Sequence, residues 1–169
     1  MTLFCARRWA PATLLALCAL SLLSACASFN ARPANPEQAL WQGRLAVTIA
    51  SSPAQAFSAN FVLEGSPSEG ALELSSLLGM RVATLRWSAH AAMLQTPQES
   101  LQFDSVDAMV AHSLGTALPM AALFGWLQGD ALAPPGWEVD LQDLPAGRLR
   151  ARRLTPAPAA DIKIILEPR

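Results

Sequence analysis

Between residues 41 and 87 apolar side chains recur at every second position. Leu45, Val47 and Ile49 alternate with Arg44, Ala46 and Thr48; Phe57, Ala59, Phe61 and Leu63 alternate with Ser58, Asn60 and Val62. Leu72 and Leu74 flank Glu73, and Ala83, Leu85 and Trp87 alternate with Val82, Thr84 and Arg86. A two-residue period turns one face inward, as in a half-buried antiparallel sheet. Turn formers separate the runs: Ser51-Ser52-Pro53, then Gly65-Ser66-Pro67 through Gly70, then Ser88-Ala89-His90. Short strands so spaced predict a meander that curls into a barrel or half-barrel.

Beyond residue 104 the period lengthens. Asp104 or Ser105 suits a helix cap, and Asp107 would favour the positive end of the helix dipole. Val106, Met109, Val110 and Leu114 follow at helical spacing, with Gly115 as the stop. A second helix is predicted from Pro119, a favoured first-turn residue, with Met120, Leu123, Phe124 and Leu127 as its apolar stripe and Gly129 as its end. Helices of ~10 residues do not persist alone in water, so both are expected to lie on something apolar, most simply the open mouth of the curled sheet. After Pro134-Pro135-Gly136 the two-residue pattern returns in Trp137, Val139 and Leu141, in 148–154 and in 162–166. The fold class expected from the pattern is mainly β with α: an antiparallel barrel or half-barrel whose open mouth the two helices cover.

The beginning of the chain carries a different signal. Arg7 and Arg8 precede an apolar run over about 12–23, and small residues follow. A basic start, an apolar core and small residues before a cut make an export signal. Leu23-Ser24-Ala25-Cys26 resembles a bacterial lipobox, which implies removal of residues 1–25 and acylation of Cys26. Alanine at position 27 resembles the residue that releases lipoproteins to the outer membrane. Residues 26–38, with Asn30, Arg32, Pro33, Asn35 and Pro36, read as the lipidated cysteine and a flexible tether. The folded domain is expected over 39–169.

Composition narrows the chemistry. The three cysteines are Cys5, Cys18 and Cys26, so the mature domain keeps no thiol to pair and must rely on packing. The chain has 12 basic and 13 acidic residues, and two of the basic ones leave with the signal. A mildly acidic product has no dense positive face for nucleic acid. His90 falls in a turn and His112 on the first helix; no Gly-x-Ser-x-Gly elbow, metal-ligand spacing or glycine-rich phosphate loop accompanies them. Neither a catalytic role nor a cofactor or metal is expected.

Several segments stand in one order: the lipobox, Trp41-Gln42-Gly43-Arg44-Leu45-Ala46-Val47, Leu74-Ser75-Ser76-Leu77-Leu78-Gly79, Leu118-Pro119 leading to Trp126-Leu127-Gln128-Gly129, and Arg152-Arg153-Leu154. The ordered set resembles the LolB family, outer-membrane lipoproteins that receive other lipoproteins from the periplasmic carrier LolA. The resemblance implies a half-open barrel of antiparallel strands with helices packed inside as a lid, an apolar cavity for acyl chains and a loop with an exposed hydrophobic residue between two early strands. That loop matches 75–79 and its key residue Leu78. Leu77 stands just before it, where proline is common in the family, so Leu77 is expected to share the role. The segment between Trp137 and Arg153 is shorter than the family pattern, as if a hairpin were trimmed.

On this reading the cavity wall comprises Leu45, Val47, Ile49, Phe57, Phe61, Leu72, Leu85, Ile162 and Ile164, with Met109, Met120 and Phe124 facing it from the helices. Methionine adapts to irregular guests. The partners implied are a LolA-like carrier, the acyl chains of cargo lipoproteins and the outer membrane, met from its periplasmic side by a monomer. Residue types alone leave two alternatives open: an anchored scaffold whose core is filled by its own side chains, and a lipid-anchored hydrolase. Arg44, Arg81 and Arg86 read as a solvated strand face, or else as holders of a carboxylate or of the carrier.

Overall fold

The computed structural model describes residues 39–114 and 118–168. Among the described residues nine strands form one antiparallel sheet: β1 (Ala39–Ile49), β2 (Gln55–Gly65), β3 (Gly70–Ser75), β4 (Arg81–Ser88), β5 (Ala91–Gln95), β6 (Ser100–Phe103), β7 (Trp137–Asp140), β8 (Arg148–Arg153) and β9 (Ala160–Leu166). Their spatial order is β6-β5-β4-β3-β2-β1-β9-β8-β7, so β6 and β7 are edges and the sheet stays open. Helices α1 (Val106–Leu114) and α2 (Met120–Gln128) fall in the chain between those two edge strands. The mainly-β class expected from the pattern, in the half-open form that the family resemblance implies, is the class observed.

The alternation decides the faces. Across the register Trp41, Leu63, Leu72, Leu85, Leu94 and Leu101 fall on one side, as do Val47, Ile162 and Ala151. These side chains belong to one buried apolar cluster together with the helices. Each large aliphatic or aromatic group so removed from water contributes about 1.5–3 kcal/mol. The opposite face carries Arg44, Thr48, Ser58, Arg86, Arg150 and Lys163, all in contact with solvent.

Gly43 makes the central pairing possible. It lies between Phe61 on β2 and Leu166 on β9 with φ +157°, and a Cβ there would sit on the Ile165 carbonyl. The backbones of β1 and β9 therefore approach more closely than any side chain allows.

The sequence pattern did not reveal β5 and β6. In Ala91-Ala92-Met93-Leu94 both faces are apolar, which blurs the alternation. Pairing with β4 and the cover of α1 select the inner set, Ala92 and Leu94. The segment between Trp137 and Arg153, short enough to suggest a trimmed hairpin, still forms one: β7 pairs with β8, joined through a short 3-10 turn (Leu144–Ala146).

Ser105 caps α1, its hydroxyl accepting the Ala108 N–H at 3.1 Å. Gly115, expected to stop that helix, lies outside the described residues. Pro119 stands one position earlier than expected, as the N-cap of α2 rather than in its first turn (φ −65°, ψ 116°), because an extended ψ is needed to bring the chain in. Gly129 ends α2 with φ +93°; its N–H binds the Trp126 carbonyl, and the Asp130 N–H binds that of Gly125.

Candidate functional site

The inner face of the sheet is the first half of the site. Val47, Ile49, Phe61, Leu85, Ile162 and Ile164 are buried on it, while Leu45, Phe57 and Leu72 are partly buried and pack against the same cluster. Met109, Met120 and Phe124 meet them from the helices and are almost fully buried. All twelve expected wall residues therefore belong to one apolar interior. Phe124 sits edge-on to Trp41, with ring centroids 5.5 Å apart, and to Trp87 at 6.3 Å. Trp126 lies 5.5 Å from Trp137 at the far edge and donates its indole N–H to the Leu132 carbonyl. Helix α2 thus reaches across the face from β4 to β7. In this conformation side chains of α1 and α2 occupy the inner face.

The second half is the loop between β3 and β4. A register shift after Leu74 lets Ser75 pair with Arg81, which leaves Val82 bulged outward. Such a bulge re-aims the end of a hairpin. Within the loop the Ser76 hydroxyl accepts the N–H groups of Leu78 and Met80, at 3.3 and 3.2 Å. The Ser76 carbonyl accepts the Gly79 N–H, and the Asn60 amide reaches it from β2 at 3.1 Å. Gly79 takes φ +83°, and a Cβ there would meet nothing within 4 Å. A loop held this way has few ways to bury its apolar groups. Leu78 is 88% exposed, Met80 65% and Leu77 64%. Three adjacent apolar groups held in water mark an interaction site more often than chance.

Topology gathers other features at the same end of the strands. The β1–β2, β3–β4, β5–β6 and β8–β9 turns share it, as does the chain entering β7, where Leu132 is 77% exposed. The opposite end carries an open recess of about 470 Å³ on the β4–β5 hairpin, lined by Arg86, His90, Asp104 and Phe103 among others. Its mixture of charge and aromatic surface suits hydrocarbon poorly.

The charges divide between the faces. Arg44, Arg81 and Arg86 are exposed, and Arg81 pairs with Glu73 at 2.9 Å. Arg150 hydrogen-bonds Asp161, which holds the guanidinium proton more tightly than usual. The exception is Arg153, which shares the inner parity of Leu149 and Ala151 and is only 4% exposed. The spacing of 148–153 contained that signal, yet no role for Arg153 emerged from it. An unpaired buried donor costs about 1–3 kcal/mol, so its position calls for an explanation.

A profile described as outer membrane lipoprotein LolB matches residues 38–153 of this chain. The chain belongs to the LolB family. It is also 28% identical over 152 residues to the outer-membrane lipoprotein LolB of Bordetella petrii, an overlap of 87% of this chain and 72% of that protein. The LolB match runs from the start of β1 to the end of β8 and so includes both helices and the β3–β4 loop.

Cys26, the expected lipidation residue, lies outside the described residues. Among the described residues no helix is long and apolar enough to cross a membrane, and no group of three His, Cys, Asp or Glu side chains is placed to hold a metal. His90 is exposed in its turn, and the His112 ring leans on Phe103 at 5.2 Å.

Proposed function

We propose that this protein accepts lipoproteins from a LolA-like periplasmic carrier, takes their acyl chains against its inner face, and inserts them into the outer membrane. Cys26 anchors it there by lipid, as a monomer facing the periplasm. The observation that carries this reading is one continuous apolar face on an open sheet, covered among the described residues chiefly by two nine-residue helices. Helices of that length owe their stability to the surface beneath them, so a competing apolar guest can displace them.

The energetics need no catalysis. Each methylene taken from water contributes about 0.8 kcal/mol, which makes a free acyl chain insoluble in the periplasm. Handover from carrier to receptor requires only tighter binding, and about 1.4 kcal/mol gives a tenfold bias. The bilayer is the final sink. Leu78, with Leu77 beside it, is the group that leads cargo into lipid.

The test is transfer of an acylated cargo from the purified carrier to this protein, followed by its appearance in vesicles. The expected result is stoichiometric transfer without ATP. A second reading, an anchored scaffold with a filled core, is favoured by the complete burial of Met109 and Trp126. Absence of transfer, together with no uptake of an apolar fluorophore, would establish the scaffold instead.

A further inference from the structure

We propose that Arg153 is a head-group anchor inside the apolar interior, binding an oxygen acceptor at the head of an acyl chain. The acceptor is a fatty-acid carboxylate or the ester or amide carbonyl of a protein-linked chain. This inference rests on the acyl-binding reading above and adds a polar contact to it.

The evidence is the contrast between Arg153 and the other arginines. Arg148, Arg150 and Arg152 alternate along β8 onto the outer face, where Asp143 and Asp161 meet them. Arg153 faces inward, between its cross-strand neighbours Trp137 and Ala160. It is the one charged side chain among the paired inner-face positions that run from Phe103 on β6 to Trp137 on β7. Among the described residues no carboxylate pairs with it. One guanidinium nitrogen, Nη2, donates to the Pro158 carbonyl at 2.7 Å, while Nε is buried and has no partner.

A structural arginine inside a protein normally satisfies its donors. One that keeps a donor free inside an apolar surround is set to receive an acceptor, and guanidinium binds oxygens in a planar fork. An acyl chain supplies such an acceptor only at its head. The rest of the interior is hydrocarbon-like, so the chain would be oriented with its head toward the β7–β8 edge. That edge lies at the same end of the strands as the Leu78 loop.

The experiment uses the full mature chain with Cys26→Ala, which leaves no thiol to carry a lipid. Three fluorescent probes are titrated: dansylaminoundecanoic acid, its methyl ester, and a dansylated undecylamine with no carbonyl head. The expected result is that acid and ester bind about tenfold more tightly than the headless probe. Arg153→Met should reduce that preference to about twofold or less while leaving headless binding unchanged. Preference for the acid alone assigns the site to free fatty acids; preference for both assigns it to linked chains as well.

Equal binding of all three probes by the unsubstituted arginine overturns the inference and leaves the acyl-binding reading standing. So does a preference that survives in Arg153→Met. Failure of every probe to bind overturns the acyl-binding reading itself. If Arg153→Met melts without a cooperative transition, Arg153→Gln, which replaces the guanidinium with a shorter neutral amide, takes its place. The Nε–H resonance of Arg153 gives a check free of substitution: it should shift with acid or ester and stay in place with the headless probe.

Discussion

The carboxylate of Asp107 on α1 accepts the backbone N–H of Met120, the first residue of α2, at 3.2 Å. Pro119 has no side-chain donor or acceptor to cap that end, so the helix start is satisfied from its neighbour. The two helices are thereby fastened to each other. Asp107→Ala should cost about 1 kcal/mol, the usual worth of a cap. That corresponds to a fall in melting temperature of roughly 3–6 °C, read by calorimetry. Asp107→Asn keeps the acceptor and should lose less than half as much. Equal losses would show that charge, not the hydrogen bond, matters.

Phe124 fills the space between Trp41 and Trp87. Phe124→Ala should destabilise the domain by about 3–5 kcal/mol in urea titrations, because the edge contacts and the packing vanish together. The vacated volume should admit a small apolar fluorophore more readily than in the parent chain. A loss below about 1 kcal/mol would mean that α2 settles into the gap.

Two glycines test different kinds of constraint. Gly43→Ala places a methyl group against the Ile165 carbonyl, so β9 must leave β1. A loss of roughly 3 kcal/mol or more is expected, with early exchange of the β9 amides. Gly79→Ala meets no neighbour and suffers only its positive φ. It should cost about 1–2 kcal/mol, less than Gly43→Ala, and leave the β9 amides as protected as in the parent chain. Comparable global losses for the two would contradict this distinction.

Leu78→Glu removes an apolar group that is already in water. The melting temperature should stay within about 2 °C, since surface changes are usually worth less than 0.5 kcal/mol. Cargo should still be accepted from the carrier, but its delivery to vesicles should fall at least about tenfold, matching the loss of one leucine's transfer energy. Normal delivery would remove Leu78 from the mechanism. Leu77→Glu measured beside it shows whether the two leucines share the load.

Much of this fold was legible because each long strand has one buried face. Phe57, Ala59, Phe61 and Leu63 could only be placed together, since a slip of one residue would turn all four into water. The helices were legible for the same reason at a different period, with Met120, Leu123, Phe124 and Leu127 buried as their spacing required. Ser105 announced the start of α1 through local chemistry alone. The strands β5 and β6 were not legible, because Ala91, Ala92 and Met93 give both faces similar polarity and only a partner strand breaks the tie.

The sequence by itself determined the mainly antiparallel architecture, the inward sets and the stretch that would form the β3–β4 loop, because these depend on period and on neighbours in the chain. The tertiary structure alone decided which residues meet across distance. It placed Trp41, Trp87 and Phe124 together, tied Asp107 to Met120, and left the Arg153 Nε without a partner inside the sheet. Those relationships depend on strand order and on the path of α2 across the open face, and no local pattern encodes either.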